Sequence, residues 1–88
     1  MIFISLCRFR KKPTKEGLAE SQKLFEKMAE EGGKVLGMYW TLGRYDVVVI
    51  VEAPDEKVGM KALIRWADMI SSETMVAISA EEARELVE

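Results

Sequence analysis

The chain has 88 residues, a single cysteine, no histidine and a formal net charge of −2. That length holds one domain with one small core, and Cys7 has no partner for an internal disulfide. Without histidine the commonest general base and haem ligand are gone, a lone thiolate makes no zinc pattern, and an acidic balance argues against nucleic-acid binding.

The first element, Ile2-Phe3-Ile4-Ser5-Leu6-Cys7-Arg8-Phe9, is rich in β-branched and aromatic residues and too short for a helix, which predicts a strand. Ile2, Ile4 and Leu6 point to one side of it, Phe3, Cys7 and Phe9 to the other. Its basic end, Arg8-Phe9-Arg10-Lys11-Lys12, reads either as a solvated strand end or as an anion patch. Pro13 closes this segment, and a helix starts near Thr14 and runs to about Glu31. Leu18, Leu24, Phe25, Met28 and Ala29 gather on one arc of it, with charged residues opposite. Gly32-Gly33 ends it, as glycine does where a left-handed residue is needed.

Two β-rich runs follow, Lys34 to Leu42 and Tyr45 to Ala53, with Gly43-Arg44 between them as a tight hairpin turn. That turn sets a register: Leu42 with Tyr45, Trp40 with Val47, Met38 with Val49 and Leu36 with Val51 on one side. On the other side Thr41 faces Asp46, Tyr39 faces Val48, Gly37 faces Ile50 and Val35 faces Glu52. Asp55 caps a second helix that runs to about Ile70. Its inward stripe is Val58, Ala62, Leu63, Trp66, Met69 and Ile70, and Met60, Ile64 and Ala67 widen it. Either the C-terminal tail or another subunit is expected to shield that extra apolar surface. Glu73 to Ser79 is a final strand, and Ala80 to Val87 a short acidic helix or tail.

The order βαββαβ is that of a single α+β domain over residues 1–88, a ferredoxin-like sandwich. Right-handed crossovers place both main helices on one side of its sheet. The run Val47-Val48-Val49-Ile50-Val51 is apolar on both faces, so the uncovered face needs a partner. Two such sheets face to face form a dimeric α+β barrel, and a homo-oligomer is expected. Ile2 to Leu6 has no basic segment before it and no cleavage site after it. No apolar run approaches the roughly 20 residues that span a bilayer. A cytoplasmic protein without membrane attachment is the expectation.

No catalytic motif, phosphate loop or glycine-rich fingerprint is present, and no cofactor or metal is expected. The candidate ligand-binding residues are Tyr39, Thr41, Asp46 and Glu52, on the mixed side of the hairpin, together with Arg8. On the barrel interior Asp46 would be partly desolvated, a condition for a general base or an anchoring acceptor. Its structural alternative is to cap the turn or accept a bond from Thr41. Arg8 either pairs with Glu52 or holds an anion. Tyr39, Trp40 and Tyr45 read first as core or interface aromatics, and Cys7 as a small buried hydrophobe.

At the hairpin, Tyr39-Trp40-Thr41-Leu42-Gly43-Arg44-Tyr45-Asp46-Val47-Val48-Val49 resembles the signature of the GYD-domain family, with Gly43, Tyr45 and Asp46 at the signature positions. The resemblance extends over an opening apolar strand, a helix ending in Gly-Gly, and the Glu52-Ala53-Pro54-Asp55 segment. It implies the dimeric α+β barrel architecture and no particular activity. A weaker similarity is to the effector-binding domain of Lrp/AsnC-type regulators, which bind small molecules at oligomer interfaces; this chain has no room for their helix-turn-helix. Three functions follow as expectations. The first is a small-molecule-binding or regulatory module acting as an oligomer. The second is a cofactor-independent oxygenase or isomerase using Tyr39 and Asp46. The third is a purely structural assembly unit.

Overall fold

The computed structural model describes residues 1–87. Its elements are β1 (Ile2–Phe9), α1 (Lys15–Glu30), β2 (Lys34–Trp40), β3 (Val47–Glu52), α2 (Glu56–Trp66), β4 (Ile70–Ala77) and α3 (Ala80–Ala83), with a 3₁₀ turn over Arg84–Val87. The four strands form one antiparallel sheet in the order β2-β3-β1-β4. This is the expected ferredoxin-like α+β architecture.

Local chemistry sets the helix ends. The Thr14 hydroxyl accepts from the Gly17 amide at 3.0 Å, and the Asp55 carboxylate accepts from the Val58 amide at 3.1 Å. Both close an N-terminus with an oxygen that satisfies an otherwise unpaired N–H. At the end of α1 the Gly33 amide donates to the Met28 carbonyl at 2.9 Å while Gly32 takes φ +94°. That left-handed residue favours glycine, and a Cβ there would also lie 2.8 Å from the Pro54 ring.

Three sequence expectations change. The helix α2 ends at Trp66, not near Ile70, and β4 begins at Ile70, not at Glu73. The reason is pairing: the last three residues of β1, Cys7, Arg8 and Phe9, sit opposite Ser72, Ser71 and Ile70. A central strand with unpaired amides along that length would leave buried donors unsatisfied. In the hairpin, Trp40, Tyr39, Met38 and Gly37 pair with Val47, Val48, Val49 and Ile50 as expected, but a bulge at Leu36 brings Val35 opposite Val51 and Lys34 opposite Glu52. Gly37, which offers no side chain to the ladder, lies beside the irregularity. The C-terminal segment does not shield α2, since α3 packs appreciably only on the following turn. Ile64 remains 76% exposed and Met60 59% exposed.

Residues that pair directly share a face. Phe3, Ser5, Cys7 and Phe9 face the helices with Val47, Val49 and Val51. Ile2, Ile4 and Leu6 face away, with Val48 and Ile50 on β3 and Met75 and Ala77 on β4. Among the described residues no helix covers this second face. The fold is 17 Å across in its thinnest dimension and exposes 6595 Å², where a compact monomer of 10.0 kDa exposes about 5,200 Å².

The two helices are braced from outside. Arg65 on α2 donates two hydrogen bonds to Glu31 at the end of α1, at 2.6 and 2.9 Å, and Lys61 approaches the same carboxylate at 3.5 Å. The Arg65 hydrogen bonds hold the Glu31 carboxyl down at about 2, against an ordinary 4.5. A carboxyl whose folded value is depressed contributes stability above its unfolded value and loses it as pH falls towards the folded one. Glu31→Gln is therefore expected to lower the melting temperature at pH 7. Melting curves of the two proteins should converge as pH is taken from about 4.5 to about 2, and a gap that persisted at pH 2 would contradict this role.

Candidate functional site

The helix-covered side of the sheet is not filled by side chains. Between the sheet and the two helices lies a cavity of about 360 Å³. Its floor is made by β1 (Phe3, Ser5, Cys7 and Phe9), the inward valines of β3, and Met38 and Trp40 of β2. Its roof is made by Leu18, Ser21 and Phe25 of α1 and by Val58, Gly59, Ala62 and Trp66 of α2. The volume lies within the range of natural small-molecule sites, at its lower end.

The cavity exists because large and small residues alternate along its roof. At one end Phe3, Met28, Ala53 and Val58 close into a core cluster. A Cβ on Gly59 would lie 2.8 Å from the Phe3 ring, so glycine lets that ring tuck beneath α2. Further along, the Phe25 and Trp66 rings meet at 4.6 Å between centroids, and Phe9 and Trp40 at 5.1 Å. The Trp66 indole N–H donates to the Ser21 hydroxyl at 2.9 Å. These contacts brace the walls around the gap, where Ala62 supplies little volume.

Besides the Gln22 amide, two hydroxyl-bearing points interrupt a mostly apolar lining. Ser21 accepts from Trp66, and its own hydroxyl proton meets only the Met69 sulfur, at 3.9 Å. On the floor the Ser5 and Thr74 hydroxyls are 2.8 Å apart, and Thr74 lies 3.3 Å from Ser72. Each hydroxyl has one proton and two lone pairs, so both points retain capacity for a ligand. No charged side chain lines the chamber. Cys7 is 2% exposed, and burial pushes its thiol upward, away from the nucleophilic thiolate. Among the described residues no three metal-ligating side chains come together.

The residues singled out from sequence lie elsewhere. Tyr39 is exposed on edge strand β2, opposite Val48 and hence on the uncovered face. Glu52 ends β3 opposite Ile2. Arg8 is at the other end of β1, opposite Ser71, so the expected Arg8–Glu52 pair does not form. Its guanidinium sits 5.5 Å from the centre of the Tyr45 ring, with Arg44 at 5.8 Å from the same ring. The Tyr45 hydroxyl donates to Glu73 at 2.8 Å, and that bond pushes its pKa above the ordinary tyrosine value. These partners draw Tyr45 off the ladder. The Gly43-Arg44 turn accordingly widens to a loop, closed by the Thr41 amide donating to the Asp46 carbonyl at 2.8 Å. Gly43 sits in it at φ +106°.

Asp46 is a structural acid here. Its carboxylate accepts from the Phe9 amide at 2.9 Å, while its own amide donates to the Cys7 carbonyl at 2.8 Å. The side chain thus continues the β1–β3 ladder one rung beyond the last backbone pair. The Thr41 hydroxyl donates to the Tyr45 carbonyl at 2.7 Å rather than to Asp46. What sequence reasoning missed was the chamber between inward stripes it had read as packed core. The available signal was Gly59 and Ala62 sitting on the same face as Trp66.

The profile of the GYD domain matches residues 3–87. Among solved structures, the chain is similar to the crystal structure of FFRP-DM1, at 26% identity and a TM-score of 0.51, covering 89% of this chain and 100% of that one. That likeness agrees with the similarity to Lrp/AsnC-type domains at the hairpin. No curated protein matches the sequence.

Asp46→Ala removes the acceptor of the Phe9 amide and should cost about 1–3 kcal/mol of stability, read as a lower melting temperature. Asp46→Asn keeps an acceptor oxygen and should recover part of the loss. An unchanged melting temperature in the alanine variant would return Asp46 to the candidates for a functional acid.

Proposed function

The chain belongs to the GYD-domain family, and we propose that it serves as a small-molecule-binding or regulatory module that acts in the cytoplasm as a homo-oligomer. The observation that carries the binding half is the chamber of about 360 Å³, mostly apolar with a few hydroxyls and the Gln22 amide, which matches the general composition of ligand sites. An apolar occupant would gain dispersion contacts with the walls on both sides of this space. The enzyme expectation draws on Tyr39 and Asp46. Here Asp46 is occupied by the Phe9 amide, and no hydrogen bond joins it to Tyr39 among the described residues. Binding without chemistry is the reading we adopt.

The oligomer half rests on the uncovered face. The surface in excess of a compact monomer is roughly 1,300 Å², more than the ~800 Å² each partner commits in a standard interface. That excess is counted over the whole surface; on the uncovered face, a second copy placed on Ile4, Leu6, Val48 and Ile50 would complete the burial of side chains that the single chain buries only in part. Tyr39, Arg8 and Glu52 then lie along the subunit seam, and Thr41 and Asp46 in the hairpin that borders it.

Two measurements test the halves separately. Titration with a fluorophore such as anilinonaphthalene sulfonate, an aromatic body bearing one sulfonate, should show saturable binding at one site per chain. Ala62→Phe, which fills the chamber from its roof, should abolish it while leaving the circular dichroism spectrum intact. Binding undiminished by Ala62→Phe would remove the chamber from the proposal. Sedimentation velocity at micromolar concentration should give a dimer or larger species, reduced to monomer by Ile50→Lys. A stable native monomer would refute the assembly.

A further inference from the structure

The chamber has an annex. A groove of about 80 Å³ runs beside it under the β1–α1 connection, and the two share Phe9, Leu18, Ser21, Trp66 and Ile70 as walls. Among the described residues the only charged side chains along either are Lys11 and Lys12, in the groove, and no carboxylate lines it with them. The ion pairs among the described residues are those of Glu31 with Lys61 and Arg65, so Lys11 and Lys12 have none.

This arrangement divides a ligand into two parts. A charge inside the chamber would lose hydration with nothing of opposite sign to meet it, which disfavours it there. A charge at the groove stays hydrated and meets two ammonium groups. We propose that the bound molecule is an apolar carboxylate, its body in the chamber and its acid at Lys11 and Lys12. The proposal rests on the chamber being a binding site, and it gives the basic stretch after β1 a function that neither the fold nor the ladder requires. The Ser21 hydroxyl, on the wall common to both spaces, is placed to donate to a carboxylate oxygen or to a polar atom just inside the body.

The test is a matched pair of probes, naphthalene-2-acetate and naphthalene-2-acetamide, titrated calorimetrically into the intact protein. They share one body and differ in charge. The acid is expected to bind roughly fivefold tighter than the amide at low ionic strength, with the preference fading at high salt. In the Lys11→Gln, Lys12→Gln double variant, whose substitutions lie at exposed positions, the preference should vanish while the amide affinity stays as in the native chain. Equal affinities for the two probes, or a preference that survives in the double variant, would overturn the carboxylate assignment and leave the chamber as a binding site. If neither probe binds, the chamber is not a site for such bodies, and both proposals fall together.

Discussion

Two helices can cover one side of a four-stranded sheet and no more. Most of the physics of this domain follows from that limit meeting strands that are apolar on both sides. In β3 the valines at 47, 49 and 51 turn to the helices, and Val48 and Ile50 turn away. In β1, Phe3 and Cys7 are buried while Ile4 and Leu6 are only half-buried. A sheet of this kind resembles the inner leaf of a larger structure. Its outer side is finished by another molecule or stays wet at the expense of the hydrophobic term.

The covered side obeys a second limit. Interiors normally pack to crystal density, yet here the helices stand off the sheet. Aromatic pairs at the ends of the gap and the Trp66–Ser21 bond fix the spacing, and Glu31 with Arg65 ties the helices together from outside. The roof is braced rather than packed. An occupant of the space would act as a missing piece of core, and any molecule that binds the folded form alone raises its stability by mass action. Ligand and fold are coupled through the same walls.

Much of the fold was legible because it depends on local chemistry. Thr14, Asp55 and Gly32 mark helix ends through caps whose mechanism is written in the residue type. The alternation in β1 and β3 assigned each side chain to its side of the sheet. The hairpin register held from Gly37 to Trp40 because period-two patterning permits no slip without exposing the apolar set. What failed depends on distant partners. Ile70 looked helical by spacing, but the end of β1 claimed it as a strand. Tyr45 looked like a ladder residue, but Arg8 and Glu73 took it. Periodicity gives the direction in which a side chain points and says nothing of the distance to what it meets, so the inward stripes of α1 and α2 were readable and the gap beneath them was not.

The place of β1 in this sheet has a consequence for how the chain comes to be folded. It precedes the other three strands of the sheet in the chain and is one of the two central strands, yet it pairs only with β3 and β4; Ile2 lies between Glu52 and Ala77. As the chain leaves the ribosome, an eight-residue greasy segment waits for β3 on one edge and, until most of the domain has emerged, for β4 on the other. Closure is thus dominated by contacts distant along the chain, the class that folds slowly and is most exposed to aggregation. For such a polypeptide, meeting a sister copy early is a hazard before it is an assembly step.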